Sequence, residues 1–136
     1  MYKILIIAGG YSNEREISLI TAKSVIHELK KIKKYKLLLI EPDGSFVKKL
    51  RKYRPNLVLN LLHGRYGEDG YIQSILESEK VRYSHSGVLS SSLAIDKEIS
   101  KKIFIKNNIL TPKYFVYFFD KSKSLLFKLI EKKFGF

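Results

Sequence analysis

Short apolar runs that lead into a turn and then into a helical pattern recur along this chain, and this rhythm limits its fold more than any other feature. The first run is Tyr2–Ala8, and Gly9-Gly10 follows it directly. Apolar residues then recur at helical spacing as far as Leu29. Because strands that are apolar along their length are typical of parallel sheets covered on both faces, the pattern predicts an α/β fold, a parallel sheet flanked by helices.

Later segments repeat the rhythm. Strands are predicted for residues 35–40, 56–62 and 81–84, and helices for 46–53, 71–78, 89–94 and 97–107, with Asp96 as the N-cap of the last. After Thr111-Pro112 the composition shifts, and a strand over 113–119 and a helix over 122–133 are expected. We therefore expect a Rossmann-like α/β domain over residues 1–110 and the start of a different structural unit over 111–136.

Charge is the most unusual feature of the composition. The chain has 26 Lys and Arg against 13 Asp and Glu, a net charge of +13. Such an excess can attract nucleic acid, anionic membranes or polyphosphates. The basic clusters at 30–36 and 48–54 end predicted helices, where cations are electrostatically favoured, and no aromatic RNA-binding motif accompanies them. We expect a solvated surface and neither a nucleic acid nor a membrane as partner, and a basic nucleic-acid binder stays as an alternative.

The chain has no cysteine, which excludes disulfide bonds and thiolate metal sites and fits a cytoplasmic protein. Its first apolar run is too short for a signal-peptide core, and no run approaches the ~20 residues of a membrane-spanning helix. The expected location is the cytoplasm.

The turn after the first strand is one place where an α/β fold can build a site. Residues 9–18 read GGYSNEREIS. Glycines and free amides at a helix start can cradle a phosphate, but the spacing fits neither the Rossmann nor the P-loop pattern. Alternatively, Ser12 or Asn13 caps the helix, and Glu14 and Glu16 only complement its dipole.

A second loop, residues 62–70, reads LHGRYGEDG and follows the third predicted strand. Its position predicts that His63 and Glu14 meet at the same edge of the sheet, where they could bind a small polar substrate with an ammonium or a carboxylate group. Alternatively, His63 is structural, and Glu68-Asp69 caps the following helix. In a third segment, residues 86–97, Lys97 is either a phosphate contact or a solvated lysine.

Taken together and in order, the motifs at 9–18, 63–73 and 86–97 resemble those of the D-alanine–D-alanine ligases, which are ATP-grasp enzymes. The resemblance implies an ATP-dependent ligase: ATP phosphorylates the carboxylate of one D-alanine, and the amine of a second attacks the acyl phosphate. The product, D-alanyl-D-alanine, serves peptidoglycan synthesis in the cell wall and thereby cell shape. ATP and Mg²⁺ or Mn²⁺ are the implied cofactors, D-alanine is the implied substrate, and a homodimer is the implied assembly.

The resemblance also implies roles for individual residues. Glu14 matches the glutamate that receives the ammonium of the first D-alanine, and His63 matches a histidine beside the carboxylate of that substrate. Ile17 matches an apolar wall of the same subsite, and Lys97 matches a basic residue near the ATP phosphates. Glu14 and His63 are thus the candidate catalytic residues.

The family's metal ligands have no counterpart in this sequence, so the chain itself is expected to have no metal site. Residues 111–136 resemble only the opening strand and helix of the central ATP-grasp domain. We therefore expect an amino-terminal portion that carries the first D-alanine subsite and is inactive alone. A non-catalytic binding module, or a ligase that joins D-alanine to a different second substrate, stays as an alternative.

Overall fold

The computed structural model describes residues 1–117 and 123–135, and their contacts divide the chain into two compact units, Met1–Ile95 and Asp96–Phe136. The elements run in the order β1 (Tyr2–Ile7), α1 (Arg15–Leu29), β2 (Tyr35–Ile40), α2 (Phe46–Tyr53), β3 (Leu57–Asn60), α3 (Tyr71–Ser78), α4 (Val88–Ile95), α5 (Lys97–Lys106) and α6 (Lys123–Phe134). The division after residue 95 reflects how the contacts within the chain are grouped. It does not test the domain boundary predicted at residue 110, which stays a prediction.

The first unit is built on a parallel three-stranded sheet with the order β2-β1-β3. Tyr2 pairs with Tyr35 on one side of β1, and Ile4 pairs with Leu57 on the other. The strand predicted for 81–84 is reduced to a single parallel bridge between Tyr83 and Val58. The predicted fold class, a parallel sheet flanked by helices, is confirmed.

The central strand explains why this sequence needs helices on both faces. Successive side chains of a strand point to opposite faces. Leu5 and Ile7 join one buried cluster with residues of α2 and α3, and Ile4 and Ile6 join a second cluster with Ala22 of α1. All four strand residues are buried, so neither face of β1 can be left uncovered without exposing apolar surface.

The second unit is described by itself. Helix α5 begins as the sequence predicts, because the Asp96 carboxylate accepts hydrogen bonds from the amides of Glu98 and Ile99, each at 2.9 Å. Helix α6 confirms the helix predicted for 122–133, except that Ser122 lies outside the described residues. No described residue of this unit belongs to a sheet.

The strand predicted for 113–119 is therefore wrong over residues 113–117, which form neither helix nor strand, while residues 118 and 119 lie outside the described part. A strand needs a neighbouring strand to pair its backbone amides and carbonyls. The unit's described residues provide no such neighbour, so β-rich composition alone does not produce a strand here.

Candidate functional site

The carboxyl ends of the three strands meet at one edge of the sheet, and three loops leave from this edge: residues 8–14 after β1, 41–45 after β2 and 61–70 after β3. In open α/β sheets, ligands bind at this edge. As predicted from the sequence, the Gly9-Gly10 turn and the His63 loop lie there together. What holds them is a set of buried polar contacts.

Ser18 of α1 joins the first loop to the third. Its side chain is fully buried, and its hydroxyl donates to the carbonyl of Leu61 at 2.6 Å and accepts from the amide of Gly9 at 2.8 Å. A single hydroxyl thus satisfies a backbone group after β1 and another after β3. The helix start that carries Glu14 is thereby fixed against both loops.

The second strand contributes through Glu41, which follows β2 directly and was not among the candidate site residues. Glu41 receives two hydrogen bonds from the Arg15 guanidinium, at 2.7 and 2.8 Å, and one from the amide of Gly10 at 3.0 Å. A Cβ atom at Gly9, whose φ is +84°, would lie 2.6 Å from Glu41 Oε1. Glycine is therefore required at this turn for steric as well as conformational reasons.

The Arg15–Glu41 pair also sets the charge state of its members. Hydrogen bonds from Arg15 hold the pKa of Glu41 below its ordinary value, although partial burial acts in the opposite direction. The same hydrogen bonds raise the pKa of Arg15. The carboxylate therefore stays ionised and keeps its hold on the Gly10 amide across the neutral range.

The structure brings Glu14 to the His63 loop. A Cβ atom at Gly64 would lie 2.7 Å from Glu14 Oε2, so the carboxylate lies directly against the loop backbone and would have to move for a larger residue. The φ of +66° also favours glycine at this position. Glu14 itself is exposed, and Ser12 Oγ accepts the Glu14 amide at 3.1 Å. The helix begins at Arg15 with no side-chain cap, so neither Ser12 nor Asn13 caps it.

His63 lies next to Gly64 and is partly buried. Its Nδ1 is 3.7 Å from a Glu68 carboxylate oxygen, and the other oxygen of Glu68 accepts the Gly64 amide at 2.7 Å. The Nε2 atom of His63 is buried and has no hydrogen-bond partner within the described residues. A buried polar nitrogen of this kind is suited to a ligand atom.

Two buried side chains that were not among the candidate site residues hold the loop of His63 from the inside. The buried side-chain amides of Asn60 and Gln73 both donate to the carbonyl of Gly67, at 2.8 and 2.9 Å. Asp69 accepts the amides of Tyr66 and Tyr71 at 2.8 and 3.1 Å. The N-cap of α3 is Gly70, with no side-chain cap, so neither Glu68 nor Asp69 occupies the capping position considered from the sequence. The sequence held one signal for the role of Asn60: it is a polar residue at the end of an apolar strand.

A cleft of about 460 Å³ opens beside His63, a size within the range of small-molecule sites. Its lining residues are Gly9, Gly10, Tyr11, Pro42, Leu62, His63, Arg65, Tyr66, Tyr71 and Ile72. Glu14 and Ile17 are not among them. Ile17 is 55% exposed on α1, so the apolar wall expected of it faces outward within this unit.

Lys97 is the first residue of α5 and belongs to the second compact unit, whereas Glu14, Ile17 and His63 belong to the first. Its side chain is exposed. Across residues 1–117 and 123–135, no three His, Asp or Glu side chains gather as a metal site. The described part of the chain therefore offers no set of ligands for Mg²⁺.

The fold and site together define an α/β ligand-binding domain with its site at the carboxyl edge of a parallel sheet. No protein-family model matches the chain. It is 56% identical over 134 residues to the D-alanine–D-alanine ligase of Pelagibacter ubique, covering 98% of this chain and 44% of that protein. The chain thus spans less than half the length of this curated relative.

Solved structures of D-alanine–D-alanine ligases are also similar to this chain. A crystal structure of the Bacillus anthracis D-alanine–D-alanine ligase is 34% identical and superposes with a TM-score of 0.78, covering 100% of this chain and 43% of that one. A structure of the B. anthracis ligase with ATP is 30% identical, with a TM-score of 0.74, covering 97% and 54%. The chain belongs to the D-alanine–D-alanine ligase family and corresponds to an amino-terminal portion of it.

In the part of the chain that the structure describes, no helix is both long and apolar enough to span a bilayer.

Replacing Ser18 by Ala is expected to destabilise the first unit, because it leaves the Gly9 amide and the Leu61 carbonyl buried without a partner. The expected loss is about 1–3 kcal/mol in the free energy of unfolding, measured by urea denaturation. Ser24→Ala is the matched control, since this exposed serine of α1 makes only a 3.4 Å bond to a carbonyl of its own helix. Equal losses in both variants would contradict the stabilising role of the two hydrogen bonds of Ser18.

Glu41→Gln is expected to remove a pH-dependent part of the stability. The folded pKa of Glu41 lies below its unfolded value, so the pair contributes fully above the ordinary pKa of about 4.3 and loses its contribution as the pH falls through the folded pKa. The difference in unfolding free energy between wild type and variant should therefore be largest at neutral pH and shrink below about pH 4. Glu16→Gln controls for the loss of one exposed carboxylate. A difference in unfolding free energy between wild type and Glu41→Gln that stays constant with pH would refute the stabilising role of the ionised Glu41.

Proposed function

We propose that this chain forms the first D-alanine subsite of a D-alanine–D-alanine ligase, an ATP-dependent enzyme that makes D-alanyl-D-alanine for peptidoglycan synthesis. One observation carries the proposal: the Glu14 carboxylate lies against Gly64, beside a histidine whose buried Nε2 has no partner within the described residues. An amino acid carries an ammonium and a carboxylate on one carbon. A carboxylate and a hydrogen-bond donor on neighbouring loops are complementary to that pair of groups.

Each residue would act in a specific way. Glu14 would accept the substrate ammonium in a charge-assisted hydrogen bond and so fix the orientation of the molecule. His63 would donate from Nε2 to the substrate carboxylate, where a donor offsets charge as the acyl phosphate forms. Ile17 would supply an apolar contact once the site is covered.

ATP supplies the phosphoryl group in this proposal, and a divalent cation accompanies it. Lys97 would neutralise phosphate charge, as a basic residue near a nucleotide does. The described residues contain no set of metal ligands, so Mg²⁺ or Mn²⁺ would bind to residues of a longer ligase. We propose a cytoplasmic location and a homodimeric assembly on the basis of the family alone.

The reaction itself is tested on a longer ligase that begins with this chain. Phosphate release should require ATP, Mg²⁺ and D-alanine together, and D-alanyl-D-alanine should accumulate in proportion to the phosphate. The 136-residue chain assayed alone should release none. Turnover that does not depend on D-alanine would exclude the ligase proposal, and turnover by the short chain would exclude its assignment as one subsite.

Glu14→Gln in the longer ligase is expected to raise the KM for the first D-alanine and to slow turnover, because the ammonium loses a charged acceptor. A charge-assisted hydrogen bond of about 1.5–3 kcal/mol corresponds to a loss of about 10- to 150-fold in kcat/KM. Glu16→Gln, which neutralises a carboxylate two residues away, is the control and should retain activity. Equal kinetics for wild type and Glu14→Gln would refute the assigned role.

A further inference from the structure

The amino edge of the sheet, opposite the candidate site, carries a dense positive charge. In a parallel α/β unit, every turn that leads from a helix into a strand comes to this edge. Here these turns, with the start of β1, comprise residues 1–3, 28–36, 51–54 and 77–82, which we call the basic pole. The basic pole contains eleven Lys or Arg residues and three Glu residues.

The opposite edge has the reverse balance. The loops of the carboxyl edge, residues 8–16, 41–45, 61–70 and 84–87, contain two Arg residues and six Asp or Glu residues. The charge excess of the first unit is therefore segregated to one edge and does not simply follow its lysine-rich composition. Such segregation orients a protein in the field of a charged partner.

Few of the cations in the basic pole are neutralised. Lys31 pairs with Glu28 at 2.7 Å, and Arg51 pairs with Glu79 at 2.6 Å. Within the described residues, no carboxylate lies within 4.0 Å of the other nine cations of the pole, which include Lys30, Lys33, Lys52 and Arg54. All four of these named side chains are solvent-exposed and available to an anionic surface.

Apolar side chains stand among these cations. Ile32, in the middle of a run of four lysines, is 42% exposed, and the ring of Tyr2 is 41% exposed. Lysine flanking an exposed aliphatic or tyrosine side chain suits the headgroup region of a bilayer, where the apolar part enters and the ammonium meets lipid phosphate.

The aromatic rings fit a nucleic acid less well. Stacking of bases needs an open ring face. The Lys34 ammonium lies over the ring of Tyr35 at 5.3 Å, and the Lys3 ammonium lies over the ring of Tyr53 at 5.6 Å. Tyr2 packs against Tyr35 at an interplanar angle of 58°. Lysines thus lie over the rings of Tyr35 and Tyr53, which favours a lipid surface over single-stranded nucleic acid.

We propose that the basic pole docks the protein on an anionic lipid bilayer as a peripheral contact, with the candidate site at the opposite edge turned away from the lipid. The proposal departs from the expectation from sequence that no membrane is a partner, because that expectation placed the basic clusters at separate helix ends and not together at one edge of the sheet. It does not depend on the identity of the substrate.

The test is sedimentation of the 136-residue chain with phosphatidylcholine vesicles, with and without about 30% phosphatidylglycerol. We expect binding to the anionic vesicles only, and its loss in about 0.5 M NaCl. Lys30→Glu, Lys33→Glu and Lys52→Glu together should weaken binding by more than about tenfold. The matched control combines Lys23→Glu, Lys48→Glu and Lys49→Glu, which changes the net charge equally at residues of the same unit that lie outside the basic pole.

Equal weakening by the two triple variants would overturn the proposal, since net charge and not the pole would then drive binding. Absence of binding to anionic vesicles, or tighter binding to a single-stranded oligonucleotide than to those vesicles, would also overturn it. Ile32→Ser keeps every charge, and it should weaken vesicle binding but leave any oligonucleotide binding unchanged. Circular dichroism of each variant verifies that the fold is retained.

Discussion

The hydroxyl of Ser18 is the interaction on which the candidate site depends most. It lies in the interior and bonds the Gly9 amide and the Leu61 carbonyl, so the loop after β1, the loop after β3 and helix α1 share one fixed point. Glu14 lies one helical turn before Ser18, and the Ser18 amide bonds the Glu14 carbonyl at 3.0 Å. The position of the Glu14 backbone relative to the His63 loop is therefore set by buried contacts.

Two further sets of contacts make this edge rigid. Glu41 ties the glycine turn to Arg15 from the side of β2, and Asn60 with Gln73 holds the Gly67 carbonyl beneath the His63 loop. Preorganised groups lose little entropy when a ligand arrives. A site for a molecule as small as an amino acid needs this rigidity, because so small a ligand offers few contacts to offset the cost of ordering a loop.

Much of this arrangement could be predicted from the sequence. The apolar runs and their spacing located the three strands and most helices, since period and turn residues act locally. Parallel pairing then placed Glu14 and His63 at one edge. The role of Glu41 could not be predicted, because it depends on contacts distant in sequence. Those of Asn60 and Gln73 depend on the folded path of the loop that presents the Gly67 carbonyl to them. The strand expected at 113–117 failed for the related reason that a strand depends on a partner.

The most direct test of the account is a crystal structure of the longer ligase with D-alanine bound. We expect the substrate nitrogen within about 3 Å of a Glu14 carboxylate oxygen and the substrate carboxylate within hydrogen-bond distance of His63 Nε2. A first D-alanine bound elsewhere, with the Glu14 carboxylate and His63 Nε2 both facing solvent, would contradict the assignment of this edge as its subsite.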